Sequence, residues 1–268
     1  SRASIANITA ELLGIDINRV SVLIGDTASI GFSNLTGGSR VLFASALVVT
    51  ESTNQVIDIL KDRASKIWNI DKEAIEWENG EARPAGDNAG KFKPLSLVEL
   101  AEQATPTGGP IGAGHQVNTV GAEGGFATHI CDVEVDIELG IARVIRYTAA
   151  QDVGKAIHPA YVEGQLQGGV VQGIGWALNE EYIYNKDGKL DNPGFLDYRI
   201  PVCSDLPMID TILVEVPNPQ HPQGVRGVGE VPIVPPLSAI ANAIYNAIGT
   251  RFYSLPMSPP KVLEKISD

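Results

Sequence analysis

Asp152-Val153-Gly154-Lys155-Ala156-Ile157-His158-Pro159, running on into Val162–Leu178 (VEGQLQGGVVQGIGWAL), is the stretch whose reading decides the fold. The second part reads as a helix, yet five glycines stand inside it, at Gly164, Gly168, Gly169, Gly173 and Gly175. Each costs about 1 kcal/mol against alanine in a helix interior, a cost that usually marks close approach by another backbone or by a flat ligand. Gln165, Gln167 and Gln172 carry amides able to read the donors and acceptors of a heterocycle, or else to bond neighbouring backbone. His158 alone says little, because a histidine before proline is more often a satisfied structural group than a ligand or a base.

Upstream of this helix, Phe126 to Ile137 and Ile141 to Ala150 alternate as β-branched strands joined at Leu139-Gly140. Asp132, Glu134, Asp136 and Glu138 fall on one face of the hairpin. A cation site is one reading, but every second residue of a half-buried strand faces water, so a solvated face is the commoner outcome. Downstream, Glu180 to Tyr184 and Leu190 read as strands about Asp187-Gly188, Leu196 to Pro201 as extended chain, and Ile209 to Val216 as a strand ending in Pro217-Asn218-Pro219. That strand delivers the chain to Gly224-Val225-Arg226-Gly227-Val228-Gly229-Glu230-Val231-Pro232. Pro235, Pro236 and an apolar helix from Leu237 to Ile248 follow. The glycines permit φ > 0 and close approach to a ligand, and the prolines stiffen the loop around one carboxylate, Glu230. A solvated glutamate on a surface turn is the plain alternative; the three prolines and the apolar helix argue against it.

Towards the N-terminus, Ser1 to Leu13 reads as an amphipathic helix, and Arg19 to Ile24 alternates as a strand ending at Gly25-Asp26-Thr27. Residue 1 is read as the product of a cut, a processed subunit or a split gene. A polar, glycine-rich loop from Ile30 to Arg40 then enters a long helix from about Val41 to Trp68. Gly37-Gly38-Ser39-Arg40 at a helix start offers free N–H groups, a hydroxyl, the positive end of the helix dipole and a bidentate cation, which together suit an anion. The alternative is an ordinary helix capped by Ser39. Ile75 to Ala82 reads as a hairpin turning at Asn79-Gly80, and Leu95 to Ala104 as a short helix with Ser96 near its start. Thr105 to Gly114 is a Gly/Pro/Thr loop and the best internal boundary. The expected fold is α+β, with two α/β subdomains of mixed sheets and packed helices, 1–110 and 111–268.

Composition narrows the function. The chain has 268 residues, 44% hydrophobic and 19% charged, and a formal net charge of −12. An acidic chain without a basic cluster is a poor match for nucleic acid or an anionic membrane. No apolar run is expected to reach the roughly 18 residues of a membrane span, and no charged-then-apolar signal segment opens the chain. Cys131 and Cys203 stand alone rather than in a Cys-x-x-Cys pair, which excludes an iron–sulfur cluster on this chain. Both are expected as small core hydrophobes in a reducing, cytoplasmic setting. There is no Gly-x-Ser-x-Gly elbow and no zinc spacing, so the chemistry is expected to come from something bound.

Gly25-Asp26-Thr27, Gly37-Gly38-Ser39-Arg40, Asp152-Val153-Gly154 with His158-Pro159, Glu163 to Gly175, and Gly227 to Pro232 occur in this order. The series resembles the molybdenum-binding subunit of the xanthine dehydrogenase and aldehyde oxidase family, in its C-terminal part. The resemblance implies a molybdenum–molybdopterin cofactor, of the cytosine dinucleotide type usual in bacteria. Thr36, Gly37, Gly38, Ser39 and Arg40 match the loop holding the pterin dinucleotide, and Gln165 matches an amide contacting the pterin. Ile157, His158 and Gly229 also fall at cofactor-contacting positions, and no residue binds the metal directly. Glu230 matches the active-site base, which takes a proton from the metal's hydroxyl as substrate is oxidised; Val228, Val231 and Ile233 are expected to wall it off from water. The substrate implied is an aldehyde, a purine or an N-heteroaromatic compound. The family's preceding half, with its Gly-Gln-Gly cofactor stretch and its substrate-selective residues, is outside this sequence, so half an active site is expected here. The partners implied are that N-terminal half and the subunits bearing the 2Fe–2S clusters and FAD. A non-catalytic assembly module that docks to partners without cofactor is the alternative.

Overall fold

A computed structural model describes residues 1–28, 31–119 and 124–267. Ser29 and Ile30, at the opening of the glycine-rich loop, lie outside the described residues. The chain forms two compact units: Ser1–Ala122 together with Pro219–Gln223, and Glu123–Asn218 together with Gly224–Asp268. The short return of 219–223 to the first unit has no counterpart in the sequence reading, which kept that stretch in the second.

In the first unit, α1 (Arg2–Leu13) packs on the long α2 (Arg40–Trp68), burying Ile8 completely. β1 (Ile75–Glu78) and β2 (Glu81–Pro84) form the expected hairpin. Its two turn residues, Asn79 at φ 52° and Gly80 at φ 77°, are both left-handed, the pattern of a type I′ turn. β3 (Leu95–Ser96) completes an antiparallel sheet and runs into α3 (Leu97–Glu102). Ser96 caps α3 in a reciprocal box with Glu99. Those bonds, with Lys93, hold the Glu99 carboxyl down to about 2. Leu60, Ala64 and Trp68 of α2 form the core with Ile75, Ala82 and Leu100. Two expectations need correction. Residues 20–24 are not a strand: Leu23 is 74% exposed, and alternation makes a strand only where it pairs with another strand, which among the described residues it does not. The boundary loop begins as a short helix, α4 (Ala104–Thr107), whose last carbonyl, that of Thr107, accepts from buried Arg63 together with the Gly108 carbonyl.

The second unit is built on a mixed sheet. β4 (Ala127–Asp136) and β5 (Ile141–Asp152) are antiparallel with a bulge at Asp132/Val133, and β6 (Ile209–Val214) runs parallel to β5. Between β5 and β6 lies the glycine-rich helix α5 (Pro159–Leu178). With α6 (Val234–Ile248) it covers one face of the sheet, enclosing Val144, Tyr147, Ala149, Val170, Ile174, Ile240 and Ile244. A further helix, α7 (Pro259–Ser267), was not legible from pattern and packs beside β5. On the acidic face Asp132 pairs with Arg146 at 2.6 Å and Asp136 accepts from the Glu138 and Leu139 N–H groups, so these carboxylates serve the hairpin. Tyr184 and Leu190 meet in a single bridge rather than a ladder, and 195–197 turn rather than extend. Cys131 is half-buried and its thiol is pushed up to about 12 by desolvation and by Asp132, whereas Cys203 is exposed, against the expectation of two core thiols. Val231–Ile248 reaches the length and apolarity of a membrane span, at mean hydropathy 1.3, which the sequence reading overlooked; Ile240 and Ile244 are fully buried in the core of the unit.

Candidate functional site: a glutamate loop seated on a glycine helix

β5 ends at Asp152, and the loop that follows lies against the glycine loop preceding Glu230. Gly154 and Val225 form an antiparallel bridge, and the Lys155 N–H donates to the Gly224 carbonyl at 2.8 Å. Gly154 has φ 64°, and a Cβ there would stand 2.5 Å from the Gly224 oxygen, so only glycine allows the approach. Arg226 then reaches back: its Nε lies 3.2 Å from Asp152 Oδ2, with the two side chains 11% and 8% exposed. The same guanidinium donates to the carbonyls of Val216 and Gly124, while Asp152 Oδ1 accepts from the Gly154 N–H. Two residues on, Val228 packs against Val153, Val162 and Leu166.

The far end of the loop sits on α5. A Cβ at Gly169 would lie 2.5 Å from the Pro232 ring, and one at Gly173 would lie 2.7 Å from Pro236 and 2.9 Å from the Ile233 carbonyl oxygen. Gly175 makes room for Pro201 and Glu180 in the same way. The loop is thus held on both sides of Gly229 and Glu230, which are exposed between the two attachments. The wall expected from Val228, Val231 and Ile233 does not enclose Glu230. Val228 is turned into the apolar cluster, where burial is worth more than covering a carboxylate, and Glu230 is left exposed.

Gly164 and Gly168 differ from the other three glycines: a Cβ at either would meet nothing within 4 Å. They share the exposed face of α5 with Gln165 and Gln172, whereas Gln167 turns inward and donates to the Ile209 carbonyl at 3.2 Å. At the start of α5 the His158 ring stacks on Tyr161 at 3.9 Å, and its Nδ1 is buried without a hydrogen-bond partner among the described residues. Ile157 beside it is half-buried. Gln151, next to Asp152, is fully buried, with neither amide atom bonded among the described residues.

Thr36 to Arg40 belong to the first unit. Gly38 (φ 65°) and Ser39 (φ 56°) are both left-handed, an uncommon state for serine, and the Ser39 side chain makes no capping bond to α2. The cap reading of this serine therefore does not hold: its side chain does not cap the 29-residue helix. Arg40 Nη1 donates weakly to the Leu35 carbonyl, at 3.4 Å, within an exposed loop. Such a helix start suits a phosphate.

Sequence reasoning missed the Asp152–Arg226 pair, whose members are remote in sequence and show no local pattern. It also missed His221, buried in the first unit, whose Nε2 donates to the Phe43 carbonyl while its Nδ1 accepts from the Gln223 N–H. Desolvation lowers its pKa. In the second unit His129 Nδ1 lies 2.9 Å from the Tyr147 hydroxyl, and burial lowers this imidazole to about 4.

A helix-covered mixed sheet carrying a braced glutamate loop, beside a first unit built on a long helix, defines an α+β protein. The sequence profile of the molybdopterin cofactor-binding domain matches residues 1–207, and the chain belongs to that family. It is 37% identical over 175 residues to the putative xanthine dehydrogenase molybdenum-binding subunit of Escherichia coli K12, covering 64% of this chain and 23% of that one. It is 29% identical over 274 residues to the nicotine 6-hydroxylase large subunit of Paenarthrobacter nicotinovorans, covering 98% of this chain and 33% of that one. The structure superposes on quinoline 2-oxidoreductase from Pseudomonas putida 86 with a TM-score of 0.86 at 27% identity, over 100% of this chain and 35% of that one. The chain thus spans about a third or less of the length of these relatives.

Proposed function

We propose that this chain is the cofactor-binding portion of a molybdenum hydroxylase large subunit, with Glu230 as its catalytic base. The observation that carries the reading is the double fastening of the glycine loop, by Arg226 and Val228 on one side and Pro232 on the other, which leaves Glu230 presented to whatever lies beyond. In the first unit the start of α2 behind Thr36–Arg40 suits dinucleotide phosphates, and in the second unit the His158 Nδ1, buried without a partner among the described residues, and the open glycine face of α5 beside Gln165 suit a pterin. When bound, molybdopterin supplies the two-electron oxidation, with water as the oxygen source. The chain's residues do the rest. Arg40, Ser39 and the α2 N–H groups bind the dinucleotide phosphates, and Gln165 and the Ile157-His158 turn orient the pterin. Glu230 accepts a proton beside the carbon being oxidised.

We further propose a dinucleotide of the cytosine type and an aldehyde, a purine or an N-heteroaromatic compound as substrate; the similarity to xanthine dehydrogenase and nicotine 6-hydroxylase subunits supports the last two substrate classes. The remaining two-thirds of the subunit covers Glu230 and supplies substrate selectivity, and 2Fe–2S and FAD subunits take the electrons, in the cytoplasm. Glu230→Gln in the assembled enzyme is expected to keep molybdenum content near wild type and cut turnover at least about a hundredfold. Turnover within about threefold of wild type would refute the assignment. Absence of molybdenum and pterin from the native complex would favour an assembly module instead.

A further inference from the structure

We infer that Arg226, clamped by Asp152, is a positioning residue for Glu230. This inference rests on Glu230 being the base, and it adds what holds that base in register. The loop from Gly224 to Glu230 has neither helix nor strand of its own to fix it. Besides the Gly154–Val225 bridge and the Asn218 amide's bond to the Val225 carbonyl, its N-terminal side is held by the Arg226 guanidinium, which pairs with Asp152 Oδ2 and donates to the Val216 and Gly124 carbonyls. Those acceptors come from the end of β5, the stretch after β6 and the stretch before β4, so one residue ties the loop to every strand of the sheet.

Stability alone is a weak explanation for such a pair. A nearly buried ion pair carries a desolvation cost that offsets most of its attraction, and an apolar pair of similar volume often serves stability as well. Direction is what the pair adds. A planar fork with fixed donor angles sets where the Arg226 backbone lies, and Glu230 follows only four residues later, with Val228 pinned between them. Lysine would preserve the charge toward Asp152 but not the fork. A displacement of about 1 Å at a catalytic group is enough to lower turnover by as much as a hundredfold without loss of binding.

The test compares Arg226→Gln, Arg226→Lys and Glu230→Gln in the enzyme assembled with its partner subunits, using kcat, KM, molybdenum per enzyme and hydrogen exchange at the Lys155 amide. Arg226→Gln is expected to lower kcat at least about tenfold with KM within about threefold and full molybdenum. The Lys155 amide, bonded to Gly224, is expected to exchange at least about tenfold faster. Arg226→Lys is expected to fall between this variant and wild type, and it carries the comparison if Arg226→Gln does not assemble. A kcat loss that merely tracks lost molybdenum or lost folded protein would overturn the inference, as would a wild-type kcat in Arg226→Lys when Arg226→Gln fails to assemble. Exchange separates the two readings. If Glu230→Gln retains turnover while Arg226→Gln still loosens Lys155, the clamp stands and the base assignment falls; unchanged exchange at Lys155 overturns the clamp itself.

Discussion

Alanine substitution along α5 is expected to give opposite signs at neighbouring glycines. At Gly168 a methyl group enters open space, and the only change is the helix propensity of alanine over glycine, about 1 kcal/mol in favour of folding. For a chain of this size that raises Tm by roughly 2–4 °C. At Gly173 the same methyl would sit 2.7 Å from Pro236 and 2.9 Å from the Ile233 carbonyl oxygen. Proline rings and backbone cannot swing aside, so overpacking of about 1–3 kcal/mol opposes the propensity gain, and the net effect is a loss of up to about 2 kcal/mol. Urea denaturation of the two variants at one pH, compared by midpoint at constant m, measures the difference. Cofactor retention supplies the functional half of the assay. If Gly168 is left open for the pterin, Gly168→Ala is expected to stabilise the chain while lowering molybdenum content of the assembled enzyme by at least about threefold. Equal stabilisation by Gly168→Ala and Gly173→Ala would refute the sorting of these glycines into inward and outward sets. Full molybdenum content in Gly168→Ala would refute the open-face reading.

Acid is expected to weaken the second unit through His129. Its folded-state value of about 4 lies below the ordinary 6.5, so the unfolded chain binds the proton first; stability is complete above pH 6.5 and declines as pH falls toward 4. The loss is about 1–2 kcal/mol after allowance for the partly exposed ring, and urea midpoints at pH 7.5 and 4.5 should converge in His129→Gln; an equally steep decline in that variant would rule the residue out. Arg40→Ala is expected to change stability by about 1 kcal/mol or less while weakening cofactor retention about ten- to a hundredfold on dialysis, as loss of a charge-assisted phosphate contact would. Equal molybdenum and cytosine nucleotide in both proteins would leave Arg40 a surface charge.

The elements visible in sequence are those whose instructions lie within a few residues. Asn79-Gly80 set a left-handed turn, Ser96 marked a helix start, and the long periodic run to Trp68 formed one helix, because turn chemistry, caps and apolar spacing act locally. The cost of five glycines in α5 was equally legible, as was the placing of Glu230 on an exposed loop before Pro232. What each glycine was for was not. Gly164 and Gly168 look like Gly169 and Gly173 until the chain returns with Pro232 and Pro236, and only that return distinguishes an inward contact from an open face. The alternation of Arg19–Ile24 promised a strand, but pairing requires a neighbour that sequence pattern cannot supply. Ser39 is a good helix cap by type, yet its left-handed backbone leaves that role unused. Asp152 and Arg226 carry no mark of each other in the sequence, since an ion pair between remote residues is written only in the distance that folding gives them, here 3.2 Å.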